Sequence, residues 1–440
     1  MKRNNGMIKY LLQWIFIIVA FQFGNAQEVL TLEDAVQIAL KNNYDIRLAS
    51  NNLKIDETGV GVANAGMLPR LDATFTQNNS IQNTKQTQST GAVRELDNAK
   101  NNSMTYGVNL GWTVFDGLGM FARYDQLKEL QKQGETELKL AIMTRVSDVM
   151  SGYYDLVQQQ QLLSALDTTI VISKQRLKTA ENRFTIGKAA KLEVLNAQVD
   201  LNTDKSNLLK QQELLHNAKI RFNELLARET DADFKVVETG TTDDKLQLAE
   251  LRELTKKQNP QLQLALINKR VAELNLKQVK ANRYPTVNLN AGYAFTESES
   301  SLGFVSQSSG RGLNYGVSAA IPVFNGFLQH RNEKIAKLQV ENTAMAIEQQ
   351  NKSIDTQLAS AFQTYKTNIE LAKLEQDNET IAKRNLEITM DKFKIGTVPT
   401  IEFRTAQENY INAVARHSSA KFQAKISEIA LQEIAGNIKF

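Results

Sequence analysis

This chain carries one long unit twice, the second copy following the first at an offset of 209 residues. Phe115-Asp116-Gly117 returns as Phe324-Asn325-Gly326, and Arg183-Phe184-Thr185-Ile186-Gly187 returns as Lys392-Phe393-Lys394-Ile395-Gly396. Ala197-Gln198 matches Ala406-Gln407, and Asn223-Glu224-Leu225 matches Gln432-Glu433-Ile434. The interval from Gly117 to Gly187 equals that from Gly326 to Gly396, so the register needs no gap. A duplicated supersecondary unit leaves a surface open until its twin, or copies in other chains, closes it.

Four stretches inside the units alternate at the strand period. Met104, Tyr106, Val108, Leu110, Trp112 and Val114 oppose Thr105, Gly107, Asn109, Gly111 and Thr113. Leu313, Tyr315, Val317, Ala319, Ile321 and Val323 oppose Asn314, Gly316, Ser318, Ala320 and Pro322. The partner stretches follow prolines: Leu71, Ala73 and Phe75 against Asp72, Thr74 and Thr76, then Val287, Leu289, Ala291, Tyr293 and Phe295 against Asn288, Asn290 and Thr296. Segments of about ten residues, apolar and aromatic on one face and small and polar on the other, are the signature of a transmembrane barrel strand. A half-buried strand of a soluble sandwich alternates similarly. The polar stretches 81–103 and 297–312 read as long loops on one side, as at the extracellular side of membrane hairpins. Lipid tolerates no open sheet edge, and the smallest membrane barrels have about eight strands. Four strands per chain therefore require chains to pool them, two, three or four chains giving about 8, 12 or 16.

The segments between the hairpins read as long helices. From Leu118 to Ile186 no proline occurs, and only Gly134 and Gly152 interrupt. Ile142, Val149, Leu156, Leu163, Ile170, Leu177 and Phe184 keep a stride of seven, and Val194, Leu201, Leu208, Leu215 and Phe222 continue it on the returning helix. Such a stride winds helices left-handedly on their neighbours. The companion positions begin apolar (Val146, Tyr153) and become Gln160, Asp167, Lys174 and Glu181, which suits a helix in a curved wall with one face in water. A continuous helix over 118–186 spans about 100 Å, beyond any membrane thickness. A shorter helix is expected over Leu32–Ala49, and Phe234-Lys235-Val236-Val237 as a short strand.

The start of the chain reads as a secretory signal: Lys2, Arg3 and Lys9, an apolar stretch from Leu11 to Phe23, and a small-residue site at Gly24-Asn25-Ala26. An uncleaved anchor is the competing reading. Cleavage lowers the formal charge from +4 to +1, which gives no electrostatic case for nucleic acid. The chain has no Cys, excluding disulfides, thiol nucleophiles and thiolate metal sites. His216, His330 and His417 lack ligand-like spacing, and no local motif supports catalysis or a cofactor.

Leu30-Thr31-Leu32-Glu33-Asp34-Ala35, followed by Ala39-Leu40-Lys41-Asn42-Asn43, resembles the opening of TolC-type outer-membrane efflux proteins. Phe-Asx-Gly after each second strand and Phe-x-Ile-Gly at each helical tip extend the resemblance over residues 28–436. The resemblance implies an α+β membrane protein. Three chains would pool four transmembrane strands each into a 12-stranded barrel, continued across the periplasm by an α-helical coiled-coil tunnel. It implies a passive exit duct for efflux or type I secretion, without enzyme activity or cofactor. The implied partners are two further copies of the chain, outer-membrane lipid, a periplasmic adaptor and an inner-membrane pump of RND or ABC type.

The corresponding layout is a signal at 1–26 and a first repeat at 27–228, with strands near 69–80 and 104–116 and helices near 118–186 and 189–228. A linker at 229–248 leads to a second repeat at 249–440, with a helix near 249–283, strands near 285–297 and 313–325, and helices near 327–395 and 400–436. By the same resemblance the tips that meet the adaptor are Ile186, Gly187 and Ala190 in the first copy and Ile395, Gly396 and Thr397 in the second. A glycine there is equally a helix C-cap. The family's closed-state latch uses an aromatic hydroxyl and an arginine, whose places hold Phe393 and Val398 here.

Glu193 and Glu402 stand just past the two tips and are both expected at the periplasmic entrance as selectivity residues; by the resemblance Glu402 matches a constriction carboxylate of the family, and a second such position is Thr405. A ring of three Glu402 side chains would favour cations, whereas the bland alternative is a solvated glutamate favoured by the helix dipole. The rival readings are an exported coiled-coil structural or adaptor protein without a barrel, and a soluble binding protein with helical arms.

Overall fold

The structure, a computed structural model, describes residues 28–238, 242–301 and 305–438; the expected signal lies outside them. In chain order its elements are β1 (Glu28–Leu30), α1 (Leu32–Asn42), α2 (Tyr44–Gly59), β2 (Arg70–Thr87), β3 (Val93–Asp116), α3 (Gly119–Thr185) and α4 (Lys191–Leu225), followed by β4 (Phe234–Val236), α5 (Leu248–Gln258), α6 (Pro260–Ala281), β5 (Thr286–Ser300), β6 (Gln307–Ala320), α7 (Leu328–Ile395) and α8 (Thr400–Ala435). They divide into two units, one from residues 28–50, 138–260 and 351–438, the other from 51–137 and 261–350.

The second unit contains one antiparallel sheet in the order β2-β3-β5-β6. Its register collects the apolar residues into shared rows, such as Leu71, Leu110, Ala291 and Tyr315. The Tyr106 and Phe295 rings stack with centroids 5.0 Å apart. The opposite face carries rows such as Asp72, Asn109, Gly292 and Asn314. Gly107 is required where β3 meets β5, because a Cβ there would stand 2.3 Å from the Tyr293 carbonyl oxygen.

The sheet corrects the expected loops and strand ends. Residues 81–103 are mostly strand: β2 runs to Thr87, β3 starts at Val93, and a turn with Gln88 N–H donating to the Ala92 carbonyl closes the hairpin. The cause is that alternating hydropathy marks a buried face, while the backbone ladder continues wherever both strands extend. β5 likewise runs to Ser300 and β6 begins at Gln307. At its other end β6 stops at Ala320 rather than 325, since Pro322 has no N–H to donate. A register shift between Thr113 and Phe115 leaves Val114 outside the row pattern, and Phe115 pairs with Val287 instead.

Two expected helices are each broken in two. The segment Leu32–Ala49 breaks at Asn43, whose Oδ1 accepts from Asp45 N–H at 2.9 Å and whose Nδ2 donates to the Leu225 carbonyl at 2.9 Å. The segment 249–283 breaks at Asn259, because the following Pro260 disfavours helical backbone in the residue before it. Asn259 Nδ2 donates to the Ile434 carbonyl at 2.9 Å, the matching contact one copy later. The expected long rods are present, α3 with 67 residues and α7 with 68, each about 100 Å at the usual rise.

The core of the first unit forms where α1, α3 and α4 meet the parallel pair β1-β4. Tyr153 is fully buried there, and its hydroxyl donates to the Leu30 and Val237 carbonyls. Phe222 and Phe234 pack beside it, with ring centroids 5.9 Å apart.

Candidate functional site

The two helical tips close with one kind of turn. Gly187 (φ +74°) donates to the Phe184 carbonyl and Lys188 to that of Arg183, at 2.9 and 2.7 Å. Gly396 (φ +84°) donates to the Phe393 carbonyl and Thr397 to that of Lys392, both at 3.0 Å. This pattern satisfies the last helical carbonyls and needs a left-handed residue, which glycine adopts without side-chain clash. Each returning helix starts from an extended residue without a side-chain cap, Ala190 before α4 and Pro399 before α8. Of the expected tip residues, Ile186 and Ile395 are exposed, and a Cβ at Gly187 would meet open space.

The two equivalent carboxylates have different surroundings. Glu193 accepts from the Thr400 hydroxyl and lies 3.5 Å from the Arg183 guanidinium, so it ties the first tip to the second. Glu402 is exposed in the first turn of α8, where the helix dipole favours its charge. Thr405 is also exposed, its hydroxyl turned back to the Ile401 carbonyl. Phe393 is buried and stacks on Phe403 with centroids 5.1 Å apart, and Val398 packs into the same cluster. Arg183 covers that cluster, 5.7 Å from the Phe393 centroid.

Behind the tips lies a charged cluster that the sequence reading passed over. Arg404 of α8 grips Asp204 of α4 with two hydrogen bonds of 2.9 Å, and both side chains are buried. Ser173 of α3 also donates to Asp204, and Gln407 of α8 donates to Ser173 at 2.8 Å. Asp200 pairs with Arg176 at 2.7 Å. Burial opposes the charge on Arg404, but the hydrogen bonds and charge of Asp204, aided by Asp200 and Glu408, outweigh it and raise the guanidinium pKa. The signal was available: Asp204 and Gln211 occupy positions three residues beyond Leu201 and Leu208, where a two-helix seam would be apolar. His417 pairs with Glu379, and among the described residues no cluster of metal-ligating groups occurs.

In the sheet, the polar face holds a depression of about 470 Å³ lined by residues including Asp72, Asn109, Asn290 and Asn314. Further along the same face Thr113 donates to Asn288 at 2.8 Å. An antiparallel sheet with one apolar and one polar face, combined with pairs of very long helices, defines the outer-membrane export ducts. The chain belongs to the outer membrane efflux protein family, which it matches over residues 35–228 and 251–437.

It is 19% identical to the outer membrane protein TolC of Escherichia coli over 427 residues, covering 94% of this chain and 84% of that one. It is 21% identical to the protein CyaE of Bordetella pertussis over 421 residues, covering 93% and 84%. Its fold is that of the CmeC outer membrane channel of Campylobacter jejuni, with a TM-score of 0.77 and 18% identity over 92% of this chain and 85% of that one. The expected resemblance is thereby borne out: the protein is an outer-membrane efflux channel with a helical tunnel part and a β part.

Proposed function

We propose that three copies of this chain pool their sheets into a twelve-stranded barrel and their helices into a periplasmic tunnel. The duct passively conducts cargo from an inner-membrane pump of RND or ABC type, joined to it by a periplasmic adaptor, and no catalytic step is assigned. The carrying observation is the open sheet. Among the described residues β2 and β6 each have one ladder partner, and Leu71, Phe75, Leu313, Tyr315 and Val317 are exposed on one face. A membrane sheet must close its edges, and four strands are too few to do so alone. The apolar face then meets lipid and the Asn- and Thr-bearing face lines water.

The tandem layout, 27–228 and 249–440 about a linker at 229–248, is supported by matched backbone devices. Asp116 Oδ1 accepts from Met120 N–H, and Asn325 Oδ1 from Gln329 N–H. Gly117-Leu118 and Gly326-Phe327 are all left-handed. Ala227 and Gly436 are left-handed too, at the ends of α4 and α8.

At the tips, Ile186, Gly187 and Ala190 with Ile395, Gly396 and Thr397 form the adaptor contact, and exposed Glu402 forms the entrance ring. Glu193, held by Arg183 and Thr400, supports the ring rather than joining it. The mass of the detergent-extracted complex is the test of assembly, and a value other than three chains rejects it. Planar-bilayer conductance tests the ring: Glu402→Gln should reduce cation preference and Glu193→Gln should leave it, while an unchanged Glu402→Gln channel removes Glu402 from the entrance.

A further inference from the structure

On the apolar face of the sheet, the aromatic row Phe75–Tyr106–Phe295 ends at Arg311, which is exposed and has no ion pair among the described residues. The face does not then pass into a random polar rim. The next row contains Gln77 and Glu297, and the one after it Asn79, Asn102, Glu299 and Gln307. These residues line a hollow of about 480 Å³. A second hollow of about 330 Å³ shares Asn102, Glu299 and Gln307 and reaches Lys100, one row further out. Amides and carboxylates are thus gathered in a concavity directly beyond the aromatic row, with Lys100 lining its outer part and Arg311 standing on the adjoining row, outside its lining.

That arrangement matches one chemistry. Paired carboxylates and amides exchange hydrogen bonds with sugar hydroxyls. A guanidinium fork takes a phosphate bidentately, and it does so best beside low-dielectric surface. Aromatic side chains at this level sit where acyl chains meet headgroups. From Arg311 to Gln307 the strand advances about 14 Å, the scale of a disaccharide headgroup. An acidic hollow meant for soluble cations would have no use for Arg311 or for its place against the aromatic row.

We propose that this hollow, together with Arg311 on the row beside it, binds the phosphorylated sugar headgroup of an outer-leaflet glycolipid, with phosphate on Arg311 and sugar hydroxyls on Glu297, Glu299 and the amides. The proposal rests on the reading that the apolar face meets lipid.

The test uses detergent-purified full-length channel titrated with lipid A, with phosphatidylglycerol and inorganic phosphate as the competing anionic sources. Lipid A should bind at least about tenfold more tightly than phosphatidylglycerol, and Arg311→Gln should weaken it by about tenfold, the loss of one charge-assisted phosphate contact. Glu297→Gln/Glu299→Gln should weaken it as well, while Asn314→Ala on the opposite face leaves it unchanged. Equal binding by wild type and Arg311→Gln, or equal competition by phosphatidylglycerol or phosphate, overturns the proposal. Trp112 separates this from the underlying reading, because it lies on the apolar face and the other tryptophan, Trp14, belongs to the expected signal. Lipids with brominated acyl chains should quench Trp112 in every variant; absence of quenching sinks the lipid-facing assignment itself.

Discussion

The first and second tips share a turn but differ in what stands behind it. Gly396-Thr397-Val398-Pro399 is backed by Phe393 and Phe403, 2% and 1% exposed, with Val398 folded onto them. Gly187-Lys188-Ala189-Ala190 is backed by Ala180, Val194 and Ala197 with Leu177 packed on them, and Phe184, Ile186 and Leu192 remain at the surface. One backbone signal thus serves a tip backed by a buried aromatic pair and a tip without one, while both leave isoleucines exposed, Ile395 and Ile401 at the second and Ile186 at the first. The second tip buries its phenylalanines Phe393 and Phe403, whereas the first leaves Phe184 at the surface. Arg404 and Glu193 couple them, since each side chain reaches from one copy's hairpin to the other's.

The coupling is the easiest part of this comparison to break. Asp204→Ala strands the Arg404 charge in a buried site and should cost about 3–5 kcal/mol of local stability, read as lost hydrogen-exchange protection in α4 and α8 near both tips. Replacing the pair together, Asp204→Leu with Arg404→Met, should restore most of it, because well-packed apolar residues replace buried ion pairs at little cost. If Asp204→Ala leaves protection unchanged, the cluster does not hold the tips.

The packing difference comes next. Phe403→Ala should destabilise the second tip by about 3–5 kcal/mol, whereas Phe184→Ala, at a side chain 41% exposed, should cost under about 1 kcal/mol by the same measurement. Comparable costs at the two sites would erase the distinction. Gly187→Ala and Gly396→Ala should each cost about 1–2 kcal/mol, and equally, since only the left-handed backbone is penalised and neither site crowds a Cβ. The smallest effect is expected for Glu402→Gln, within about 0.5 kcal/mol in stability, while Glu193→Gln should measurably loosen the contact with Thr400.

Much of this was legible beforehand, and the misses share a cause. Alternation found all four strands because a period of two reports a face, but it ended each hairpin where the apolar face ended. The ladder beyond it, from Asn79 to Thr87 against Val93 to Asn102, sets its few apolar residues (Ile81, Val93, Leu96, Ala99) opposite polar ones and so leaves no continuous apolar row. The helix breaks at Asn43 and Asn259 were missed for a related reason. Both asparagines cap with their side chains onto carbonyls about 180 residues away, Leu225 and Ile434, and only Pro260 marks one of them locally. At the tips, the glycines were readable as turns, yet the contrast between Glu193 and Glu402 was not, since it depends on Arg183 and Thr400 arriving from other helices.

The elements follow from local and periodic patterns: strand period, heptad stride, the turn glycines and the doubling are features that backbone sterics and hydrophobic burial read directly. Tertiary structure alone decided which equivalent residues became unlike. Asp204 meets a guanidinium, Glu193 a hydroxyl and Glu402 water because burial and pairing of charge depend on neighbours distant in the chain, and electrostatic strength is set by that surrounding medium rather than by residue type.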